Sequence, residues 1–461
     1  MALLVAGCYF MEMLDGTIVT TASPAIGRSL HAPATEIGLL VTSYLLTLAV
    51  LIPLSGWMTR RFGNRVIFLT AIAIFTLASA GCASSGNVGE LVGMRVLQGV
   101  GGAMMVPVGR TLVVSMADKQ DLLRVTAYVV WPGLLAPVLA PLAGGLLTTY
   151  ASWHWIFLIN VPLGVIAFPI AWRLVTESAD RAAPPPLDWA GVIFTCVGLG
   201  GLTYTAHLVS SSPIPVTETI VFGVVSAVML AAAARHLLRT SHPLLNLRTL
   251  RIDTFRVSQS GGSLYWLVVG AGPFLLPLLW QTEFGWSPVK SGAVVLFIFA
   301  GNVGIKPATT PLINRFGFRT VLIASALIMA VSMAALGFTT ASTPLPVIAA
   351  LALVSGIVRS SALTVYSTVG FADMPAGQMR DANTLFATSM QLFNGLSIAI
   401  STVLLRIGGL LPGSGTVAYT FAFCLLAVIA LVAAAEAMLL SPEAGDAARA
   451  PKPAAAPAAK G

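Results

Sequence analysis

Apolar residues run along this chain in blocks too long for strands, and short polar stretches holding most of the charges separate them. Windows of about twenty apolar residues, the length a helix needs to cross a bilayer, fall at 2–24, 36–57, 66–85, 88–114, 122–148, 153–174, 189–209, 217–237, 256–281, 289–312, 319–339, 345–369, 382–407 and 416–440. They predict an all-α polytopic membrane protein with fourteen spans, numbered here in chain order. One polar stretch occurs twice. Ile52–Val66, "IPLSGWMTRRFGNRV", returns as Lys306–Thr320, "KPATTPLINRFGFRT", so that Pro53, Arg61, Phe62, Gly63 and Arg65 are matched by Pro307, Arg315, Phe316, Gly317 and Arg319. In both places one apolar span runs into the Arg-Phe-Gly-x-Arg turn and another leaves it, which makes the six-span plan a repeat. Repeated halves mark many secondary transporters.

The register of the repeat sets the expected organisation. Residues 1–175 form one six-helix bundle and residues 256–440 the other. Spans 7 and 8, within 189–237, have no counterpart and are an insert, flanked by a linker over 176–188 and a basic linker over 238–255. The Ala- and Pro-rich tail, 441–461, is expected to be disordered.

Composition agrees with a lipid-solvated chain. Hydrophobic residues make up 57% and charged residues 9%, against roughly 25% charged in soluble domains. A net charge of +8 raises the question of nucleic acid, but the basic residues lie in short loops between spans. Arg60, Arg61, Arg65, Lys119, Arg173, Arg181, Arg239, Arg248, Arg251, Arg315 and Arg319 share the side of the N-terminus, against Arg28, Lys290 and Arg406 opposite. That bias places both termini in the cytoplasm and argues against a nucleic-acid partner. No cleavable signal is expected ahead of the first span. Cys8, Cys82, Cys196 and Cys424 stand singly in apolar segments, without metal-ligand spacing, and read as small core residues. His31, His154, His207, His236 and His242 are dispersed, unlike the clustered side chains of an intramembrane enzyme.

A few polar side chains stand inside the spans. Glu12 and Asp15 are three residues apart, on one face of span 1, at a depth where an acid costs roughly 2.5 to 3.5 kcal/mol. Such groups face a cavity or pair with a buried arginine. Burial disfavours a carboxylate's charged form, which suits either one to take up and release a proton. In span 4, Arg95, Gln98 and Gly102 follow i, i+3, i+7. Arg95 is too deep to snorkel easily and needs a partner, for which Glu12 and Asp15 are the nearest in kind. Gly99, Gly101 and Gly102 permit close helix approach. Pro137 and Pro141, followed by Gly144 and Gly145, should bend span 5; a fixed kink and a moving hinge both remain open. In the second half Gln259 and Trp266 share a face, as do Gln391 and Asn394, and Arg359 stands mid-membrane. Arg359 has three possible partners: an anionic substrate group, Asp15, or backbone carbonyls at a broken helix.

In this order and spacing the motifs resemble the major facilitator superfamily and, within it, the fourteen-helix drug:proton antiporters, the EmrB/QacA-like branch of multidrug efflux permeases. "LDGTIVTTASPAI" is similar to the branch's first-helix signature, with Asp15, Thr17 and Pro24 in place and Thr20 where Asn is usual. "GWMTRRFGNR" resembles the superfamily loop, with Gly56, Arg61, Gly63 and Arg65 present and Arg60 where Asp is usual. "RVLQGVGGA" resembles the helix 4 motif, and "APVLAPLAGG" the antiporter motif, with Ala136 and Ala140 replacing two glycines. "ASWHWIFLINVPLG" is close to the start of the branch's sixth helix.

The resemblance implies two six-helix bundles plus two inserted helices in a bacterial cytoplasmic (inner) membrane. It also implies proton-coupled export of small amphipathic compounds by alternating access, without metal or cofactor. Proton coupling is then expected at Asp15, Glu12 and Arg95. Substrate contacts are expected at Thr17, Tyr44, Gln98, Gln259, Trp266, Arg359, Gln391 and Asn394. Conformational roles fall to Gly56, Arg61, Gly63, Arg65, Pro137, Pro141, Gly144, Gly145, Arg315, Gly317 and Arg319. The expected partners are a small-molecule substrate and membrane lipid, with the protein a monomer; some members of the branch work with a periplasmic adaptor. The competing readings are a dedicated exporter of one metabolite such as a sugar or amino acid, a membrane sensor and an intramembrane enzyme.

Overall fold

The computed structural model describes residues 1–116, 122–175, 186–210, 214–240, 243–375, 378–412 and 415–441. Most of the first linker, the tail beyond Ser441, Lys119, Arg181 and His242 lie outside them, as do the side chains of Arg60, Arg124 and Arg380. The first half comprises α1 (Ala2–Leu30), α2 (Ala34–Phe62), α3 (Asn64–Ser84), α4 (Val88–Met116), α5 (Leu122–Tyr150), α6 (Trp155–Leu158) and α7 (Asn160–Leu174). The hairpin α8 (Trp189–Ser210) and α9 (Val216–Arg239) follows. The second half comprises α10 (Asp253–Thr282), α11 (Pro288–Gly304), α12 (Lys306–Phe316), α13 (Phe318–Gly337), α14 (Leu345–Ala372), α15 (Met379–Gly408) and α16 (Gly415–Ala437). Each of the fourteen apolar windows thus holds helix, all but two of them as a single unbroken element.

Twelve of the described helical segments are long and apolar enough to cross a membrane, and the bent pair of α11 and α12 makes thirteen. Their 53° bend divides the single window predicted over 289–312. The cause is local: Gly304 precedes the break, and Pro307 lacks an N–H and crowds the carbonyl four residues back. A milder break at Ile159 separates α6 from α7, because Pro162 deprives the Leu158 carbonyl of its helical donor.

The two halves pack by one scheme. Contacts of α1 with α5, α2 with α4, α3 with α4 and α3 with α7 recur as α10 with α15, α11 with α14, α13 with α14 and α13 with α16. Between the halves α2 packs on α15 and α5 on α11, two contacts that the repeat exchanges with each other. The repeated turn keeps its backbone as well. Gly63 (φ 88°, ψ 150°) and Gly317 (φ 82°, ψ 161°) end their helices in a region that a Cβ disfavours. Their N–H groups donate to the carbonyls of Thr59 and Ile313, 2.9 and 2.8 Å away.

The inserted hairpin lies against the seam. α8 touches both α2 and α15, whereas α9 leaves Ile220, Val221, Val224 and Val228 exposed, the surface of a helix bathed in lipid. A carboxylate bolts its ends to the second linker. Asp188 Oδ1 accepts from the Gly191 N–H (2.9 Å) and from His236 Nε2 (2.6 Å), and Oδ2 accepts from the Leu244 N–H (3.1 Å). Burial pushes this carboxyl up, but the Gly191 N–H, His236 and the Leu244 N–H together outweigh it and hold the group below its ordinary value of 3.8. The carboxylate's contribution to stability is complete above that ordinary value and is lost as pH falls through the lowered one. Asp188→Asn supplies one oxygen for donors on two sides and turns an amide N–H toward one of them. It should cost roughly 1–3 kcal/mol, read as a lower melting temperature and faster proteolysis of the hairpin. Melting equal to the parent's would show that these bonds add nothing to stability.

Candidate functional site

Five helical elements of the first half converge on Asp15. The face of α4 that repeats at i, i+3, i+7 brings Arg95 and Gln98 against α1, where Arg95 Nη1 donates to Asp15 Oδ2 at 2.5 Å and Gln98 Nε2 to Oδ1 at 2.9 Å. Asn160, in the first turn of α7, donates to the same Oδ1 at 2.9 Å. Gln98 also donates to Ser79 Oγ on α3 (2.8 Å) and accepts from Arg95 (2.7 Å). From α2, Leu40 offers its carbonyl to Arg95 Nε (3.1 Å), and the Tyr44 ring lies 4.1 Å from the guanidinium. Asp15 and Arg95 are 0% exposed. A carboxylate held by three donors, one of them cationic, carries its charge without water.

Glu12 is placed differently. It lies one turn earlier on α1, beside the position where Gly102 leaves room on α4, and it lines a cavity of about 710 Å³. That cavity opens on the face that carries the N-terminus. Its walls come from α1 (Tyr9, Glu12, Met13), α2 (Ile52 to Trp57), α4 (Val106, Pro107, Thr111) and α15 (Asp381 to Gln391). The end of the first linker, 186–188, and residues 243–246 of the second complete its mouth. Among the described residues the lining holds three carboxylates, Glu12, Asp188 and Asp381, and no lysine, arginine or histidine. Tyr9, Trp57, Met13 and Met390 supply apolar and aromatic surface. Asp381 accepts from Asn246 Nδ2 (2.8 Å), which joins the second linker to α15.

Toward the opposite face the halves close. A Cβ on Gly145 of α5 would come within 2.6 Å of the Pro288 carbonyl, and one on Gly292 of α11 would collide with the Pro141 carbonyl. Gln281 of α10 donates to the Thr21 carbonyl of α1 at 3.3 Å.

The other residues singled out by sequence are spread out. Gly56 and Gln391 line the cavity, whereas Thr17 bonds to its own helix at Met13 O (2.9 Å) and Asn394 to Met390 O (2.9 Å). Tyr44 and Gln98 belong to the Asp15 cluster, off the cavity wall. Gln259 and Trp266 are buried within the second half. Arg359 does not reach Asp15. Its Nη1 points at the Val269 carbonyl (3.5 Å), which lacks a helical donor because the residue four positions on is Pro273, and its guanidinium lies 5.5 Å from the Phe299 ring. Arg65 donates to the Trp172 carbonyl at 2.9 Å, and Arg61 and Arg315 are exposed. Of the α5 motif, Gly144 receives Ile18 of α1, while Pro137 and Pro141 stand inside the helix. Asn160 was not singled out beforehand, although a lone amide in an apolar span signals a buried partner.

The chain matches the family described as Major Facilitator Superfamily over residues 5–272. It is 34% identical over 433 residues to the "Putative multidrug resistance protein MdtD" of Pectobacterium carotovorum, covering 93% of this chain and 92% of that protein. The protein of the same name from Escherichia coli O6:H1 is 34% identical over 441 residues, with the same coverage. Solved structures with this fold include a D-xylose-proton symporter (TM-score 0.65, 15% identity, 93% of this chain and 96% of that one). An auto-inhibited POT family peptide transporter is another (TM-score 0.66, 15% identity, 95% of each chain). With its doubled six-helix packing, its central cavity and relatives matched along nearly their whole length, this chain is an integral membrane protein of the Major Facilitator Superfamily, a family of transporters and not of enzymes.

Proposed function

We propose that the protein is a proton-coupled antiporter that exports small amphipathic compounds across the cytoplasmic membrane by alternating access, and that cations with an apolar body suit it best. What carries the reading is Glu12: a carboxylate on the wall of a cavity closed at its far end, one helical turn from a buried carboxylate locked to Arg95. An acidic, aromatic-bearing cavity attracts organic cations through charge and through ring faces, and the relatives' printed name points to drug efflux. The inserted hairpin between the halves supports placement in the fourteen-helix branch, and the excess of basic residues on the terminal face supports cytoplasmic termini. Residues 1–175 and 256–440 are taken as the moving units, with 189–237 riding on their seam.

In this cycle the cavity faces the cytoplasm and Glu12 releases its proton as a cationic substrate enters. The α5–α11 contact then opens while the inner ends close, and outside protons displace the cargo. Asp15, Arg95, Gln98 and Asn160 hold α1 at fixed depth and register, so that Glu12 meets both entrants. Each net charge moved contributes roughly 2.3 kcal/mol per 100 mV. The test is uptake of tetraphenylphosphonium into everted vesicles driven by an imposed pH gradient. The parent should accumulate it and Glu12→Gln should fall to background with expression unchanged. Gradient-driven uptake of a sugar or amino acid in place of the cation would favour the dedicated metabolite exporter. Undiminished uptake by Glu12→Gln would remove the residue from coupling.

A further inference from the structure

A second concavity lies on the outer side of the helices, far from the central cavity, and its charge is reversed. It is a groove of about 640 Å³ at the corner between α12 and α13, with the end of α16 as its other wall. Phe316, Arg319, Thr320, Ile323, Leu327 and Met438 line it, with no carboxylate among its described residues. Arg319, Ile323 and Leu327 follow at i, i+4 and i+8 on α13, so the apolar positions lie about 6 and 12 Å from the cation along the helix axis. Phe316, Leu327 and Met438 are exposed. A cation at the membrane edge with an apolar furrow running inward from it matches a lipid's own layout of headgroup and acyl chain.

The repeat supplies a comparison inside the molecule. Arg65, the matching residue of the first half, spends its guanidinium on the Trp172 carbonyl (2.9 Å) and on the Trp172 ring (5.3 Å) at the end of α7. Beside Arg319 the end of α16 supplies Met438, which has no ring face to offer a cation. Among the described residues Arg319 makes no hydrogen bond or ion pair. We propose that this groove binds an anionic phospholipid, with the phosphate on Arg319 and Thr320 and an acyl chain along Ile323 and Leu327. One basic group near a membrane surface favours an anionic lipid by about 1 kcal/mol, which corresponds to roughly fivefold.

The experiment uses a phosphatidylglycerol with a diazirine partway along one acyl chain, and the matching phosphatidylcholine, in vesicles of neutral lipid containing the full chain. The yield on the peptide spanning 316–327 is read after illumination. The phosphatidylglycerol probe should label it roughly fivefold more than the phosphatidylcholine probe. Arg319→Gln should bring the two yields together, Arg319→Lys should keep the preference, and Ala324→Trp, which fills the furrow, should lower both. Equal labelling of the parent by the two probes would overturn the site. So would a preference that survives Arg319→Gln, or yields that Ala324→Trp leaves unchanged, which would reflect surface charge alone. Labelling seen only after the tail beyond Ser441 is removed would assign the groove to the tail instead.

Discussion

Arg95→Met should leave little folded protein in the membrane, and Asp15→Asn combined with Arg95→Met should restore most of it. Both members of the pair are 0% exposed, and the space around them is filled by Gln98, Asn160, Tyr44 and Phe157 rather than by a route for water. Removing the cation alone strands a buried carboxylate, a change worth roughly 3–5 kcal/mol, whereas neutralising both partners is often close to neutral. In the double variant the new amide can still accept from Gln98 and Asn160, and it can donate to the Gln98 oxygen that Arg95 vacates. Thermal unfolding of the detergent-purified proteins decides the matter. A single variant as stable as the parent, or a double no better than the single, would refute this account of the cluster. Transport then divides structure from coupling. If the double variant folds and still exchanges cation for protons, the pair positions α1 only, and Glu12 alone handles the proton.

The doubled plan was legible because it is written in local chemistry: a glycine at positive φ inside each Arg-Phe-Gly-x-Arg corner ends one helix, and both corners keep that backbone. The Arg95–carboxylate pairing was legible in kind, since an arginine too deep to reach water must find an anion. Which carboxylate it takes was not. Glu12 and Asp15 share a helix face in sequence, yet α4 and α7 enclose Asp15, whereas Glu12, itself buried, borders the cavity. That outcome depends on helix rotation, which hydropathy does not encode. For the same reason the side of α8 that meets α2 and α15 could not be read: a helix facing lipid and one facing apolar protein have the same composition. The windows at 153–174 and 289–312 read as single helices because both are apolar throughout. Pro162 and Pro307 break them without interrupting the hydrophobic run. Gly292 carries no sequence signal of its own, and its purpose appears only with the Pro141 carbonyl set against it.

Gly292→Ala should therefore shift the protein away from the conformation described here. The two halves meet at the closed end through a reciprocal contact in which Gly145 of α5 admits the Pro288 carbonyl and Gly292 of α11 admits the Pro141 carbonyl. A methyl group on Gly292 meets backbone, not the yielding end of a side chain, so α5 and α11 must part to receive it. Within a helix the same substitution ordinarily stabilises by up to about 1 kcal/mol, so any penalty must come from the seam. The cost falls only on the state whose far end is closed; once that end opens, the methyl group has nothing to strike. The expected result is a population biased toward the opposite opening, with slow or absent export and an intact fold. Cysteine pairs carrying spin labels, one on each half near the closed end, would report it as a longer distance in Gly292→Ala than in the parent. Labels at the mouth, for instance on Trp57 and Asn383, should move closer together. Unchanged distances at both ends, with transport at the parent's rate, would mean that the α5–α11 contact adjusts by sliding and is not what holds the far end shut.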